Sequence, residues 1–524
     1  MAGAQKSRSM SRRQFFGTGA AGISSLAFSS ALVEMLLNST GCKSGLKPGL
    51  EGLIIPEDVL RKAVGFLMAK GADFGDIFVE RAATDAVTSD DRKINTSTTI
   101  EKGVGFRAVK DGKTFYAYTD SFEPERLYET ARYVADAASL GGGEEAAVVN
   151  LTARTSTLAF PITPLPTDVE VGKKIDLFQG LTERAWSADP RVVQAMQLMQ
   201  EIIRQVNIAT SSGELIHQTL GLTEFLVQTY VKDQQGSLQA AMDMRGAYAG
   251  RDFFTGENSF ETVVDNSVRK ALRLLEAVDS PRGVFPVVLG PGMNGVLFHE
   301  SCGHGMEADL VFKGSNFKDQ IGKHTAAKGV TLIDDGTIPQ FPGSYAFDDE
   351  GTPSEKTVLI EDGIQRNYLC DLVWGKKLGL KSTGNGRRQS FRYPPVPRMR
   401  NTYIEKGTIP PQEIIASTKR GIYVGDVGGG GQVDVITGNF MMGVGEGYLI
   451  EDGKITRPIK GATLSGMGIQ ALKTIDMVGS DLKMFPSAGR CGKLQSAPVG
   501  FGMPTIRVRG ILVGGKGEAW EDKG

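Results

Sequence analysis

The sequence predicts an α+β protein: an N-terminal α+β domain built on an antiparallel sheet, then a β-rich C-terminal domain carrying a metal-binding helix. Three observations lead there. Glycine is abundant, 67 of 524 residues, near twice the usual share of about 7%, and it punctuates many short β-type runs. Residues 192–246 alternate in polarity across several segments, with a turn at Ser211-Ser212-Gly213, as in an antiparallel sheet with one wetted face. From 330 to 520, short strands separated by Gly, Pro or Asp turns dominate.

In chain order, residues 56–70 read as a helix with Leu60, Val64, Phe66 and Leu67 apolar. Strands follow at Asp76 to Arg81 and at Gly103 to Thr119, the latter folded at Asp111-Gly112, a hairpin signal. Helices are predicted at 124–138 and 168–187. Another, from Phe260 to Val278, places Val263, Val268, Ala271, Leu272 and Leu275 on one side. Pro281-Arg282-Gly283 marks a domain boundary, giving a leader over 1–45, an N-terminal domain over 46–280 and a C-terminal domain over 281–524. After the boundary, Val284 to Leu289 reads as a buried strand, and Pro291-Gly292 opens the metal helix.

That helix contains His299-Glu300-Ser301-Cys302-Gly303-His304. Two imidazoles flanking a carboxylate suit a hydrolytic zinc site: the histidines hold the ion and the Glu takes a proton from water. The familiar spacing between such histidines is four, but here it is five. At about 100° per residue a regular α-helix would splay the rings by roughly 140°. They converge only if the helix widens or ends between them, so a π-type turn is predicted, with Gly303 as the place where the backbone is freest to distort. The chain has four histidines, His217, His299, His304 and His324, so two of them beside one Glu is a pointed clustering.

A catalytic zinc takes a third protein ligand. Cys302 is poorly placed for it inside the motif, and Cys370, following an apparent strand at Arg366 to Leu369, reads as a small buried hydrophobe. Cys491, in the basic turn Gly489-Arg490-Cys491-Gly492-Lys493, has cations beside it that favour the thiolate. On residue chemistry alone Cys491 is a candidate, with Glu307 and Asp309 still open as ligands or as partners that orient the rings.

The run HESCGHGMEAD at His299 to Asp309 resembles the metal motif of the TldD/PmbA metallopeptidases, once described as modulators of DNA gyrase. Similar segments are Ile333 to Thr337, Phe347 to Gly351, Thr383 to Arg388, Pro397 to Met399, Asn401 to Tyr403, Lys419 to Tyr423, Pro458 to Leu464, and CGKLQSAPVGFGMPT from Cys491. The resemblance runs from about residue 55 to the end. It implies a zinc peptidase with metal ligands His299, His304 and Cys491 and catalytic Glu300. It also implies assembly as a homodimer or as a heterodimer with a metal-free PmbA-like subunit. The chain keeps all four site residues and so is similar to the catalytic TldD type.

The front of the chain departs from that pattern. Ser11-Arg12-Arg13-Gln14-Phe15-Phe16 and a weakly apolar Gly17 to Leu37 resemble a twin-arginine export signal, predicting a periplasmic or envelope location. The apolar run is too interrupted for a spanning helix. Ser39-Thr40-Gly41-Cys42 is a partial lipoprotein site, so membrane attachment is expected only through the leader or a lipid on Cys42. Three further cysteines in no paired spacing argue against a disulfide framework. With 59 basic and 60 acidic residues, no electrostatic footprint for nucleic acid is present.

The expected function is therefore zinc-dependent hydrolysis of peptides or unfolded polypeptide segments. Two alternatives are a cysteine hydrolase using Cys302 and a non-catalytic metal-binding subunit. Gly428 to Gly431, Gly384-Asn385-Gly386, Asp334-Asp335 and Asp348-Asp349-Glu350 read as turns, not as phosphate cradles or calcium loops. Arg387-Arg388 either binds a substrate carboxylate or pairs internally, and His324 reads as a surface residue.

Overall fold

The computed structural model describes residues 52–139, 146–154 and 169–521. The expected leader, Cys42 included, lies outside the described residues. Among the described residues, no helix is long and apolar enough to cross a membrane.

The N-terminal half is one large sheet with helices at both ends. Its strands are β1 (Phe74–Asp90), β2 (Lys93–Lys110), β3 (Lys113–Thr119), β4 (Thr152–Arg154), β5 (Val192–Thr210), β6 (Glu214–Lys232) and β7 (Leu238–Ala247). The order is β3-β2-β1-β5-β6, with β4 and β7 both against β6. All pairings are antiparallel except β4 with β6. Helices α1 (Glu57–Met68) and α2 (Pro124–Ala138) bury Leu60, Val64 and Leu127 against β1 and β2. Helices α3 (Val171–Ser187) and α4 (Phe260–Glu276) cover the other end, where Phe178, Phe225 and Phe260 meet edge to face. Ser259 caps α4 by accepting from the Thr262 amide at 3.1 Å.

β1 and β2 are much longer than the sequence predicted. Their outer halves are largely polar and only partly buried, so the alternation there is weak. The turn joining them, Asp91-Arg92, has φ of 49° and 61°, a primed hairpin turn with no glycine to announce it. The Asp111-Gly112 turn, at 50° and 69°, is the glycine-marked version.

In the C-terminal half, the strands Arg282–Leu289, Ile506–Gly514, Thr463–Met467, Asn439–Glu451 and Arg420–Val433 pair in that order, and the last pairs with the first. The circuit is closed, so no edge is left open. Gly428 to Gly431, expected as a turn, instead lies inside the strand Arg420–Val433. A Cβ on Gly428 would stand 2.7 Å from the Gly445 Cα, so glycine is there because two strands approach too closely for a side chain. A second, six-stranded sheet contains Leu332–Asp335, Asn401–Ile404 and Gly500–Met503. The half also holds short helices at Leu372–Leu378, Pro411–Ala416 and Gly468–Lys473, more than the one helix expected. Each has seven residues or fewer, too short for a clear amphipathic period. Arg366 to Leu369, expected as a strand, makes only a single bridge, Leu369 to Glu307.

The two halves meet across buried charges. Arg107 on β2 pairs with Asp76 on β1 and reaches Glu350 at 2.5 Å, while Arg388 reaches Asp76 at 3.1 Å. Arg204 on β5 holds Glu80 at 2.6 Å, and Glu80 also accepts from the Phe391 amide at 2.6 Å. Charges this deep are tolerable only because each is paired and hydrogen-bonded. Arg387 donates to the Met399 and Pro498 carbonyls, both at 2.7 Å. The Arg387-Arg388 pair is therefore internal structure.

Helix α4 is tied to the barrel by Arg269 and Arg273, which reach Glu446 at 2.8 and 3.0 Å. Burial would raise the Glu446 carboxyl, but Arg269 and Tyr448 outweigh it and bring the pKa from 4.5 to about 2. A depressed carboxyl stabilises the fold fully above its unfolded pKa and loses that contribution as pH falls through the folded one. Glu446→Gln is expected to destabilise by ~1–3 kcal/mol at neutral pH. In denaturant melts from pH 7 to 2, its gap from wild type should stay constant above about 4.5 and close toward about 2. A gap independent of pH would show that the ionised pairs are not its source.

Candidate metal centre

The barrel strand Arg282–Leu289 ends at Gly290, and the chain turns through Pro291-Gly292, where Gly292 has φ of 87°. Asn294 fixes this entry by donating to the Gly290 and Val424 carbonyls at 3.0 and 2.8 Å. One short α-turn, Val296–Phe298, leads into a π-turn over His299–Gly303, followed by a 3-10 turn at His304–Met306. The predicted widening is present, and it turns residues five apart toward one side. The two imidazole centroids lie 5.7 Å apart.

Gly303 serves a different purpose from the one expected. Its φ and ψ of −57° and −47° are ordinary helical values, so backbone freedom is not what requires glycine. A Cβ there would fall on the Met399 sulfur. Arg398 and Met399, between the strands Val396–Pro397 and Asn401–Ile404, pass directly over the π-turn, and glycine allows the approach.

Cys491 comes from the strand Arg490–Lys493, paired with Gln495–Pro498 in a two-stranded ribbon. Its sulfur is 3.1 Å from His304 Nε2. Glu300 Oε2 is 3.5 Å from the same nitrogen. One ligand atom from each of His299, Glu300, His304 and Cys491 lies within 4.8 Å of the others. His299 is fully buried, and neither of its ring nitrogens has a hydrogen-bond partner. An imidazole buried with both nitrogens unspent is costly, unless a cation takes one lone pair. The donor set of two imidazoles, a thiolate and a carboxylate fits a divalent transition metal.

The charges agree with that fit. Burial would raise the Cys491 thiol, but His304 and Arg398 hold it well below its ordinary value. Burial would lower His304, yet Cys491 and Glu307 raise it well above the usual imidazole range. The Cys491 sulfur and the His304 ring thus each favour the other's charged form. Glu300 would also be raised by burial, but its hydrogen bond to His304 and the charge there lower it. Its side chain is 31% exposed while those of His304 and Glu307 are closed off, so the ionised carboxylate faces the opening.

Glu307 and Asp309 are not in the ligand cluster. Glu307 Oε2 lies 2.9 Å from His304 Nδ1, the nitrogen turned away from Cys491. Asp309 accepts from Lys493 at 2.8 Å. Cys302 is fully buried, and burial pushes its thiol up to about 12, which removes the thiolate a nucleophile needs. Cys370 is buried and is likewise pushed to about 12. His324 is exposed. The contacts that Lys493 and Arg398 make behind the site escaped the sequence reading. Lys493 stands two residues after Cys491, hence on the same strand face, a signal available from spacing alone. Arg398 donates to the carbonyls of Cys491 and Gln495, a contact no local pattern announces.

Three family models cover most of the chain: the PmbA/TldA metallopeptidase domain 1 over residues 75–139, the central domain over 164–275 and the C-terminal domain over 282–515. The chain is 37% identical over 458 residues to the metalloprotease TldD homolog of Haemophilus influenzae, covering 85% of this chain and 94% of that one. The chain belongs to the PmbA/TldA metallopeptidase family. A metalloprotease of Methanothermobacter thermautotrophicus is 33% identical over 84% of this chain and 96% of its own. Among solved structures, TldE from Thermococcus kodakarensis matches with a TM-score of 0.68 at 22% identity, over 87% of this chain and 99% of that one. A Bacteroides thetaiotaomicron chain described as a candidate modulator of DNA gyrase matches with a TM-score of 0.70 at 17% identity, over 88% and 98%. At these identities the solved structures speak for the fold alone. Membership of the family implies a metal, and the His/Glu/Cys cluster is the candidate place for it.

Gly303→Ala is expected to push Met399 off the π-turn, costing about 1–3 kcal/mol as overpacking does, and to weaken metal binding. Thermal melts and metal titration of the variant check this. A wild-type melting curve with unchanged metal affinity would mean that the close approach has slack to spare.

Proposed function

We propose that this family member is a zinc-dependent peptidase acting on peptides or unfolded polypeptide segments. The observation that carries the proposal is the meeting of two buried imidazoles, a thiolate and an ionised, partly exposed carboxylate in one cluster. His299, His304 and Cys491 would hold the ion. When bound, zinc acidifies a water and polarises the scissile carbonyl. Glu300, at the open side, accepts the proton of the attacking water and returns it to the departing amine. A thiolate gives the ion more charge than an imidazole does, so this centre would be a milder Lewis acid than one held by three histidines.

A β-rich enzyme suits an extended peptide bound as an added strand, read mainly through its backbone. Assembly as a homodimer or as a heterodimer with a metal-free PmbA-like subunit is part of the proposal, supported by the fold shared with TldE. So are twin-arginine export to the periplasm or envelope and membrane attachment through the leader or a lipid on Cys42, which rest on the leader sequence.

Glu300→Gln is expected to keep its zinc and lose about 10²–10⁴-fold in kcat, measured by metal analysis beside cleavage of an unstructured peptide. Cleavage at wild-type rate would remove Glu300 from the mechanism. Chelation should silence the wild type and added zinc restore it. Unrelated peptides of equal length should compete with one another, and strict sequence dependence would count against backbone reading.

A further inference from the structure

We infer that Glu307 and Lys493 form one positioning unit that joins the two halves of the metal centre, so that metal affinity depends on a lysine that is not a ligand. The inference deepens the reading of the site as a metal centre and rests on it.

Glu307 is a fully buried carboxylate whose oxygens are both engaged. Oε2 accepts from His304 Nδ1 at 2.9 Å and from Lys493 at 2.8 Å, while Oε1 accepts from the Met399 amide at 3.2 Å. Its backbone is anchored as well. The Leu369 bridge brackets it, with the Ala308 amide donating to the Leu369 carbonyl at 2.9 Å and the Leu369 amide to the Met306 carbonyl at 2.8 Å. A histidine that donates from Nδ1 to a fixed carboxylate presents its Nε2 lone pair in one direction. Here that direction is toward the Cys491 sulfur.

Lys493 is 8% exposed and has three acceptors: Glu307 at 2.8 Å, Asp309 at 2.8 Å and the Pro397 carbonyl at 2.7 Å. An ammonium has three N–H donors, so each is used and the head group has no freedom to wander. Side chains two apart leave the same face of a strand. Cys491 and Lys493 therefore point together toward the histidine turn, one at the ring and one at the carboxylate behind it. The strand that brings the sulfur also brings the cation that fixes the carboxylate that fixes the ring. Arg490, between no such partners, leaves the opposite face and reaches Glu224 on β6 at 2.7 Å.

The test is zinc affinity of the full-length protein, measured by competition with a chromophoric chelator, with cobalt(II) spectra as a second readout. Lys493→Met is expected to bind zinc about 10–100-fold more weakly and to shift the cobalt ligand-field bands while the thiolate charge-transfer band persists. Glu307→Gln should weaken binding to a similar degree. The double variant should be no weaker than Glu307→Gln alone, because the two residues act through one contact. Arg490→Met, which loosens the same ribbon from its other face, should stay within about threefold of wild type. Where Lys493→Met does not fold, Lys493→Gln is measured instead, and it should fall between wild type and Glu307→Gln. Wild-type affinity in the lysine variant, additive losses in the double variant, or an equal loss in Arg490→Met would each overturn the inference while leaving the metal reading intact. Failure of the wild-type protein to bind zinc would sink the metal reading itself.

Discussion

Everything about the candidate metal centre depends on a helix that is made too wide. Two histidines five residues apart cannot face one ion from a regular α-helix, and the π-turn over His299–Gly303 is what brings them together. A π-turn is poorly favoured in isolation, so the surroundings must hold it. The closed barrel supplies the launch point through Gly292 and Asn294, and the Met399 side chain presses on Gly303 from above. Cys491 then arrives from a ribbon 187 positions away. The barrel, the second sheet and the ribbon all converge on that one distorted turn.

The electrostatics follow from the same crowding. A cysteine sulfur, two imidazoles and two carboxylates lie within a few side chains of one another, and all but Glu300 are buried. Each group favours the charged form of its neighbours, and a metal would compete with protons for the His304 ring and the Cys491 sulfur. Arg398, which spans the ribbon through the Cys491 and Gln495 carbonyls, adds positive charge without occupying a ligand position.

Much of this was legible in the sequence where periodicity or spacing carried it. The helices near 124–138 and 260–276 and the strands around Ser211-Ser212-Gly213 appear where alternation and turn residues put them. The five-residue histidine spacing foretold the π-turn, and resemblance pointed to the sulfur of Cys491. What was illegible depended on distant contacts. The Asp91-Arg92 turn lacks the glycine that usually marks its geometry. Gly428 looked like a turn because the closeness of Gly445 is invisible along the chain. The reason for Gly303 was misread in the same way: its conformation is ordinary, and the sulfur of Met399 decides it. Glu307 and Asp309 were already candidates from the motif, and Lys493 could have been found from its two-residue offset, whereas the contact between them could not.

The seam of buried ion pairs between the two halves has a bearing on how such a protein can evolve and be engineered. Arg388, Glu350 and Arg490 in the C-terminal half find their counter-charges on strands of the front half. Cutting the chain near residue 280 would leave uncompensated charges facing water or each other along a broad surface. The C-terminal half is accordingly no cassette: it cannot be lifted out, swapped or fused elsewhere without taking its companion sheet along.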